Sequence, residues 1–256
     1  MIEAFRKTRA RIGLIIPSSN RLTEPQMRHY APHGVEVHVT RLRMTGASHV
    51  PLTELIPRIV DATAALADAR CDVIVFHCTA SSMEAGLEGE RRVLDAMRTA
   101  TRGHVATTAT ATSAAFRALA VKNIVLISPY VAATHQHEVE FLTEAGLKVV
   151  GGRNLGLPGS DEYIDVSPED WLRIGQQEAT PDAEAIFLSC TNIHSPQAIQ
   201  PLEAAIQRPV VTSNQAVLWY ALRTSGQSDN LLQLGRLFQL QLAENAALPL
   251  VTQSRA

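Results

Sequence analysis

Two of the three cysteines in this 256-residue chain end closely similar strings. Val73-Ile74-Val75-Phe76-His77-Cys78-Thr79 is echoed by Ala185-Ile186-Phe187-Leu188-Ser189-Cys190-Thr191. The thiolate, not the thiol, is the nucleophile, and a thiol of pKa about 8.5 ionises more readily beside a helix N-terminus with its free N–H groups. Each of these cysteines is followed by a polar turn and then a helical pattern. The turn is Thr79-Ala80-Ser81-Ser82 after Cys78 and Thr191-Asn192-Ile193-His194-Ser195-Pro196 after Cys190. Two such thiols facing one substrate can add to an activated double bond, or take a proton from one face of a carbon and return one to the other. Cys71 opens a strand, has no counterpart, and is expected to be a buried, inert thiol.

The echo extends upstream. Leu14-Ile15-Ile16-Pro17-Ser18 ends the first strand and Leu126-Ile127-Ser128-Pro129-Tyr130 ends another, and 61 residues separate each proline from its cysteine. After each cysteine come a helix and a strand ending in hydroxyl residues, Thr107-Thr108 and Thr212-Ser213. A shared period of this kind marks a duplicated structural unit. Ligands bind outside the carboxyl ends of strands in open α/β sheets, so two facing lobes would put both thiols across one cleft. The polar loop Pro17-Ser18-Ser19-Asn20 has no lysine or arginine, and Tyr130 holds its place in the second lobe. Neutral donors and backbone N–H groups of this kind hold a carboxylate. Asn20, Ser19, Tyr130, and the Thr79, Ala80 and Thr191 positions after the cysteines are therefore candidate substrate-binding residues.

Other chemistry finds less support. Nine histidines are present, but no CxxC or HExxH spacing occurs, and His135 and His137 alternate on a helical pattern that points them apart, so no metal is expected. His77 precedes Cys78 on a strand and should face the opposite side, into the core. His194 lies in the loop after Cys190, within reach of its thiol. No GxGxxG follows a strand, and Gly151-Gly152 reads as a strand-to-loop turn, so no nucleotide cofactor is expected.

The elements that must position these residues are short apolar runs alternating with helical patterns. The strand candidates are Ile12–Ile16, Val35–Leu42, Asp72–Phe76, His104–Thr108, Asn123–Ile127, Leu147–Val150, Ala185–Leu188 and Pro209–Thr212. Their continuous hydrophobicity suits strands covered on both faces. Helix candidates include Leu52–Ala69, Ser81–Thr101 and Ala132–Ala145, with starts signalled at Thr53 and Ser167. This predicts an α/β protein of two pseudo-symmetric doubly wound lobes, each with a mostly parallel sheet and the active site between them. The N-terminal lobe is expected over 1–121 and the C-terminal lobe over 122–212, with 213–256 available to complete the first.

The sequence resembles the aspartate/glutamate racemase superfamily, and within it the branch of maleate cis-trans isomerases and arylmalonate decarboxylases. The resemblance runs from about Arg11 to Arg223, with a weaker patch at Gly235-Arg236-Leu237-Phe238. Its anchors are Ile12-Gly13-Leu14-Ile15-Ile16-Pro17-Ser18-Ser19-Asn20, Cys78-Thr79-Ala80-Ser81, Ser128-Pro129-Tyr130 and Leu188-Ser189-Cys190-Thr191. It implies that Cys78 and Cys190 are catalytic and that Asn20 and Tyr130 contact the substrate. Arylmalonate decarboxylases carry glycine at the first cysteine, so Cys78 points to the two-cysteine branch. The Cys-Thr-Ala-Ser context is more like that of the racemases. A family asparagine that helps hold a second carboxylate should fall near Ser160 or Asp161, which makes Asp161 a candidate substrate-binding position, and an aspartate there would repel a carboxylate.

The resemblance thus implies a cofactor-independent isomerase of a small carboxylate, most like maleate isomerase. The alternatives are an amino-acid racemase, a decarboxylase or hydrolase on the same fold, and a carboxylate-binding module without catalysis. A net charge of −2 gives no reason to expect nucleic acid, and no apolar run is long enough to span a membrane. The N-terminal apolar run is too short for a secretory signal, and three cysteines make no disulfide framework, so a reduced, cytoplasmic protein is expected, as a homo-oligomer.

Overall fold

The computed structural model describes residues 8–44 and 50–243. The first sheet contains β1 (Ala10–Pro17), β2 (Val35–Leu42), β3 (Val73–Phe76) and β4 (His104–Thr107). The second contains β5 (Asn123–Ser128), β6 (Lys148–Asn154), β7 (Ala185–Leu188) and β8 (Val210–Thr212). Every pairing is parallel, in the orders β2-β1-β3-β4 and β6-β5-β7-β8, so the second sheet repeats the topology of the first. Residues of β3 and β7 are buried throughout, as inner strands covered by helices on both faces must be.

The helices fall between the strands. They are α1 (Thr23–Tyr30), α2 (Leu52–Asp68), α3 (Thr79–Met83), α4 (Gly86–Arg98), α5 (Thr108–Ala118), α6 (Ala132–Glu144), α7 (Ser160–Asp165), α8 (Pro168–Glu178), α9 (Ile199–Ile206) and α10 (Ser213–Thr224). Hydroxyl residues at the ends of β4 and β8 start α5 and α10 in the same way. Thr107 and Thr212 each accept from the backbone N–H three residues on, and the side chains of Thr110 and Gln215 answer with bonds from the cap N–H, closing two capping boxes. These two helices pack against one another between the sheets. Phe116 of α5 meets Phe187 of β7 edge to face at 5.6 Å, so one hydrophobic cluster runs through both lobes. A second cluster, with Leu55, Ile59, Val93 and Met97, lies under α2 and α4 on the other face of the first sheet.

Several details depart from the sequence-based expectations. The run Ser81–Thr101 is two helices, because Gly86 takes φ +65° and breaks the ladder between α3 and α4. Helix α2 starts at Leu52 behind Pro51, and Thr53 does not cap it; Ser167 does cap α8, accepting from Asp170 N–H at 3.1 Å. Gly151 and Gly152 are not a turn but the middle of β6, where the register against β5 shifts. At Gly152, φ is +151° and a Cβ would fall 2.0 Å from the Leu126 carbonyl oxygen, so only glycine lets the strand pass. Among the described residues no helix is long and apolar enough to cross a membrane.

Candidate active site

The carboxyl ends of β1, β3, β5 and β7 converge on a cavity of about 480 Å³. Cys78 and Cys190 both line it, with Ser19, Asn20, Ala80, Tyr130 and Thr191. Ser81, Glu84, Thr134, His137, Ser160, Tyr163 and Asn192 complete its polar wall, and Met44, Val50, Val131 and Pro158 contribute to its apolar one. None of the described lining residues is lysine or arginine. The donors available to a carboxylate here are neutral, and Glu84 is the acidic side chain among the described lining residues.

Each loop is held by bonds to the other lobe. Asn20 Oδ1 accepts from Leu22 and Thr23 N–H at 3.1 and 2.9 Å, which seats the start of α1. Its Nδ2 donates to Thr191 Oγ1 at 2.9 Å, and an amide has a second N–H left for a ligand. Ser160 Oγ donates to Ser19 Oγ at 3.0 Å, closing one side of the cavity. Ser213, at the start of α10, joins the two cysteine loops: its Oγ accepts from Thr79 Oγ1 at 2.9 Å and from Cys190 N–H at 3.2 Å.

Beneath the cavity runs a buried polar layer. His77 is fully buried, and its Nε2 lies 2.7 Å from Asn214 Oδ1 while Nδ1 lies 3.0 Å from Thr108 Oγ1. Since the amide oxygen only accepts, Nε2 carries the proton and Nδ1 accepts from Thr108. Burial lowers the imidazole to about 4, so the ring is neutral. Asn214 Nδ2 donates in turn to Gln26 and to the Thr191 carbonyl.

The thiols differ from the sequence-based expectation of stabilised thiolates. Burial raises Cys78, against opposing hydrogen bonds from Ser81, and lifts Cys190 to about 12, against donation from Tyr130 and Asn192 N–H. The physical reason is local. Helix α3 is only five residues long, and Cys190 is followed by a loop rather than directly by a helix. Neither provides enough positive potential to offset desolvation. In the resting site both groups are thiols. Cys190 also takes φ +134°, which L-residues rarely adopt. Cys71 is buried, raised to about 11, and outside the cavity lining.

Two candidate positions fall outside the cavity wall. The Thr79 side chain is fully buried and committed to Ser213. Asp161 is 85% exposed and ion-paired with Arg21, and it is Ser160 that lines the cavity. The repulsion expected from an aspartate at this place is therefore removed. His194 is half-buried and not part of the lining, and His135 turns from the cavity to Ser128 Oγ at 2.8 Å while His137 faces it. Among the described residues no group of three or more His, Cys, Asp or Glu side chains is placed to hold a metal ion.

The sequence reading missed Tyr163, which meets the Tyr130 ring edge to face at 5.6 Å, and Glu138 of α6. Glu138 has no exposed surface, accepts from Ser189 Oγ at 2.7 Å and is raised by burial to about 8. A signal for it was present, since 138, 141 and 142 share the i, i+3, i+4 stripe that buries α6.

Residues 12–238 match the family described as arylmalonate decarboxylase. A maleate isomerase of Geobacillus stearothermophilus is 27% identical over 230 residues, covering 84% of this chain and 91% of that protein. The arylmalonate decarboxylase of Bordetella bronchiseptica is 30% identical over 174 residues, covering 67% of this chain and 72% of the other. Among solved structures, a maleate isomerase of Pseudomonas putida S16 with maleate superposes with a TM-score of 0.80 at 25% identity, covering 90% of this chain and 97% of its own.

Proposed function

The chain belongs to the arylmalonate decarboxylase family, and from that premise we propose that it is a two-cysteine cis-trans isomerase acting on maleate or a close analogue. The observation that carries the reading is the pair of thiols on one cavity whose polar wall offers neutral donors for a carboxylate. The chemistry uses side chains alone. Cys78, once ionised, adds to one alkene carbon, forming a C–S bond while the π pair moves to the neighbouring carbon and its carboxylate. Cys190 gives its proton to that neighbouring carbon, the former double bond rotates, and the proton returns to Cys190. Expulsion of the Cys78 thiolate then leaves the trans isomer. The free Nδ2 hydrogen of Asn20, the Tyr130 hydroxyl and the loop N–H groups would bind carboxylate and the enediolate charge that develops on it.

A protonated Cys190 suits this role. Its high pKa makes it a holder of the proton rather than a competing nucleophile. The decarboxylase reading is favoured by the match to the Bordetella enzyme and by the apolar wall of Met44, Val50, Val131 and Pro158, which an aryl group would fill. A racemase would use the same two thiols on an α-proton. Incubation with maleate, aspartate, glutamate and phenylmalonate in D₂O, followed by NMR, separates these readings. Isomerase activity gives fumarate with little deuterium. Deuteration at the α-carbon of aspartate or glutamate, or carbon dioxide from phenylmalonate, in place of fumarate would refute it.

A further inference from the structure

Glu138 is a carboxyl group with nowhere to put a negative charge. It is fully buried on α6, and no ion pair reaches it among the described residues. Oε1 accepts from the hydroxyl of Ser189, the residue immediately before Cys190. Oε2 is buried with no hydrogen-bond partner among the described residues. A carboxylate in such a place would forgo all solvation on one oxygen, so the group rests as the neutral acid with its proton on Oε2. The same side chain lies close enough to act electrostatically on Cys78, Cys190 and Tyr130, raising each of them when it is charged.

We propose that Glu138 is a positioning residue for the thiol pair: as a neutral acid it lets the cysteines ionise, and its own ionisation holds them protonated. The proposal rests on the reading of Cys78 and Cys190 as the reacting pair, but not on maleate as substrate.

Among the described residues, the groups facing Glu138 offer no compensating cation. Cys190 and Tyr130 approach from the second sheet's carboxyl edge, Cys78 and Glu84 from around α3, and Tyr163 from α7. Helix α4 brings Glu88 and Arg91, exposed and paired with each other, exposed Arg92, and Glu90, which is held by Thr107 and Thr110. The charges of β6, Lys148 and Arg153, are exposed at its ends. On α6 itself His135 is bound to Ser128, His137 faces the cavity and Glu144 binds Leu87 N–H.

The consequence is a break in thiol reactivity. As pH rises, the thiolate fraction climbs tenfold per unit until Glu138 ionises near 8; each further gain is then offset by the new charge, and the climb flattens. The test is the rate of iodoacetamide labelling at Cys78 and Cys190 between pH 6 and 10, mapped by mass spectrometry. It needs no substrate, so its outcome is independent of the isomerase reading. Wild type should show the break near pH 8, and E138Q should climb straight through it. The two should coincide at low pH and differ on the order of tenfold well above the break, the effect of one nearby charge in a partly polar interior. Ser189 donates to the ionised form, so S189A should move the break to higher pH, which also tests the idea should E138Q fold poorly. Superimposable profiles for wild type and E138Q, a uniform slowing of E138Q at every pH, or an unmoved break in S189A would overturn it.

Discussion

The backbone at Cys190 makes a stability prediction that separates geometry from chemistry. Cys190 stands at φ +134°, with its N–H tied to Ser213 Oγ at 3.2 Å, and this conformation carries the thiol into the cavity. A non-glycine residue in such a region costs about 1–3 kcal/mol. Cys190→Ala and Cys190→Gly both remove the sulfur and its contacts with Tyr130 and Asn192, and only glycine also relieves the backbone. The added freedom of glycine in the unfolded chain takes back about 0.5–1 kcal/mol. The glycine variant should therefore be the more stable of the two by roughly 1–2 kcal/mol in urea denaturation at neutral pH, with an unchanged m-value. Under the proposed mechanism it should nonetheless be inactive, since Cys190 is the residue that mechanism assigns to proton transfer. Equal stability, or a less stable glycine variant, would refute the claim that the site stores strain at this position.

Two further perturbations probe the layer under the cavity. Asn214→Leu leaves His77 Nε2 and Gln26 Oε1 buried without their present partner, at about 1–3 kcal/mol each, while the Thr191 carbonyl keeps its bond from Thr23 Oγ1, so a loss of roughly 3 kcal/mol is expected by denaturation. His77 is held near 4 in the fold, below its ordinary value, so the unfolded chain binds more protons between the two. Its contribution to stability is present above about 6.5 and is lost as pH falls to 4, by roughly 3 kcal/mol. A urea series over that window should show a shallower loss in His77→Gln than in wild type.

Much of the fold could be read from the chain because inner parallel strands are continuous apolar runs, and β3 and β7 carry theirs into the two cysteines. The repeated proline-to-cysteine spacing gave the equivalence of the lobes, and the sheets realise it strand for strand. What escaped depended on close approach in three dimensions. Gly151-Gly152 looks like a turn in sequence, and only the nearness of the Leu126 carbonyl explains glycine within a strand. The ionisation of the thiols also escaped. A polar turn before a helix favours a thiolate, but the sequence does not reveal how deeply Cys190 is buried or that Glu138 stands behind it. The sequence left Ser160 and Asp161 open as neighbours at one place: the start of α7 turns Ser160 to the cavity and Asp161 out to Arg21.

The central claim is that Cys78 attacks while Cys190 holds the proton, and trapping tests it most directly. Without Cys190, solvent can protonate the addition product, and no thiol stands ready to take the proton back. The C190A protein incubated with maleate should accumulate one added maleic acid by intact mass, mapped to Cys78 by peptide fragmentation, while C78A should accumulate none. An adduct on Cys190 in C78A, or the absence of any adduct on Cys78 in C190A, would contradict the assignment.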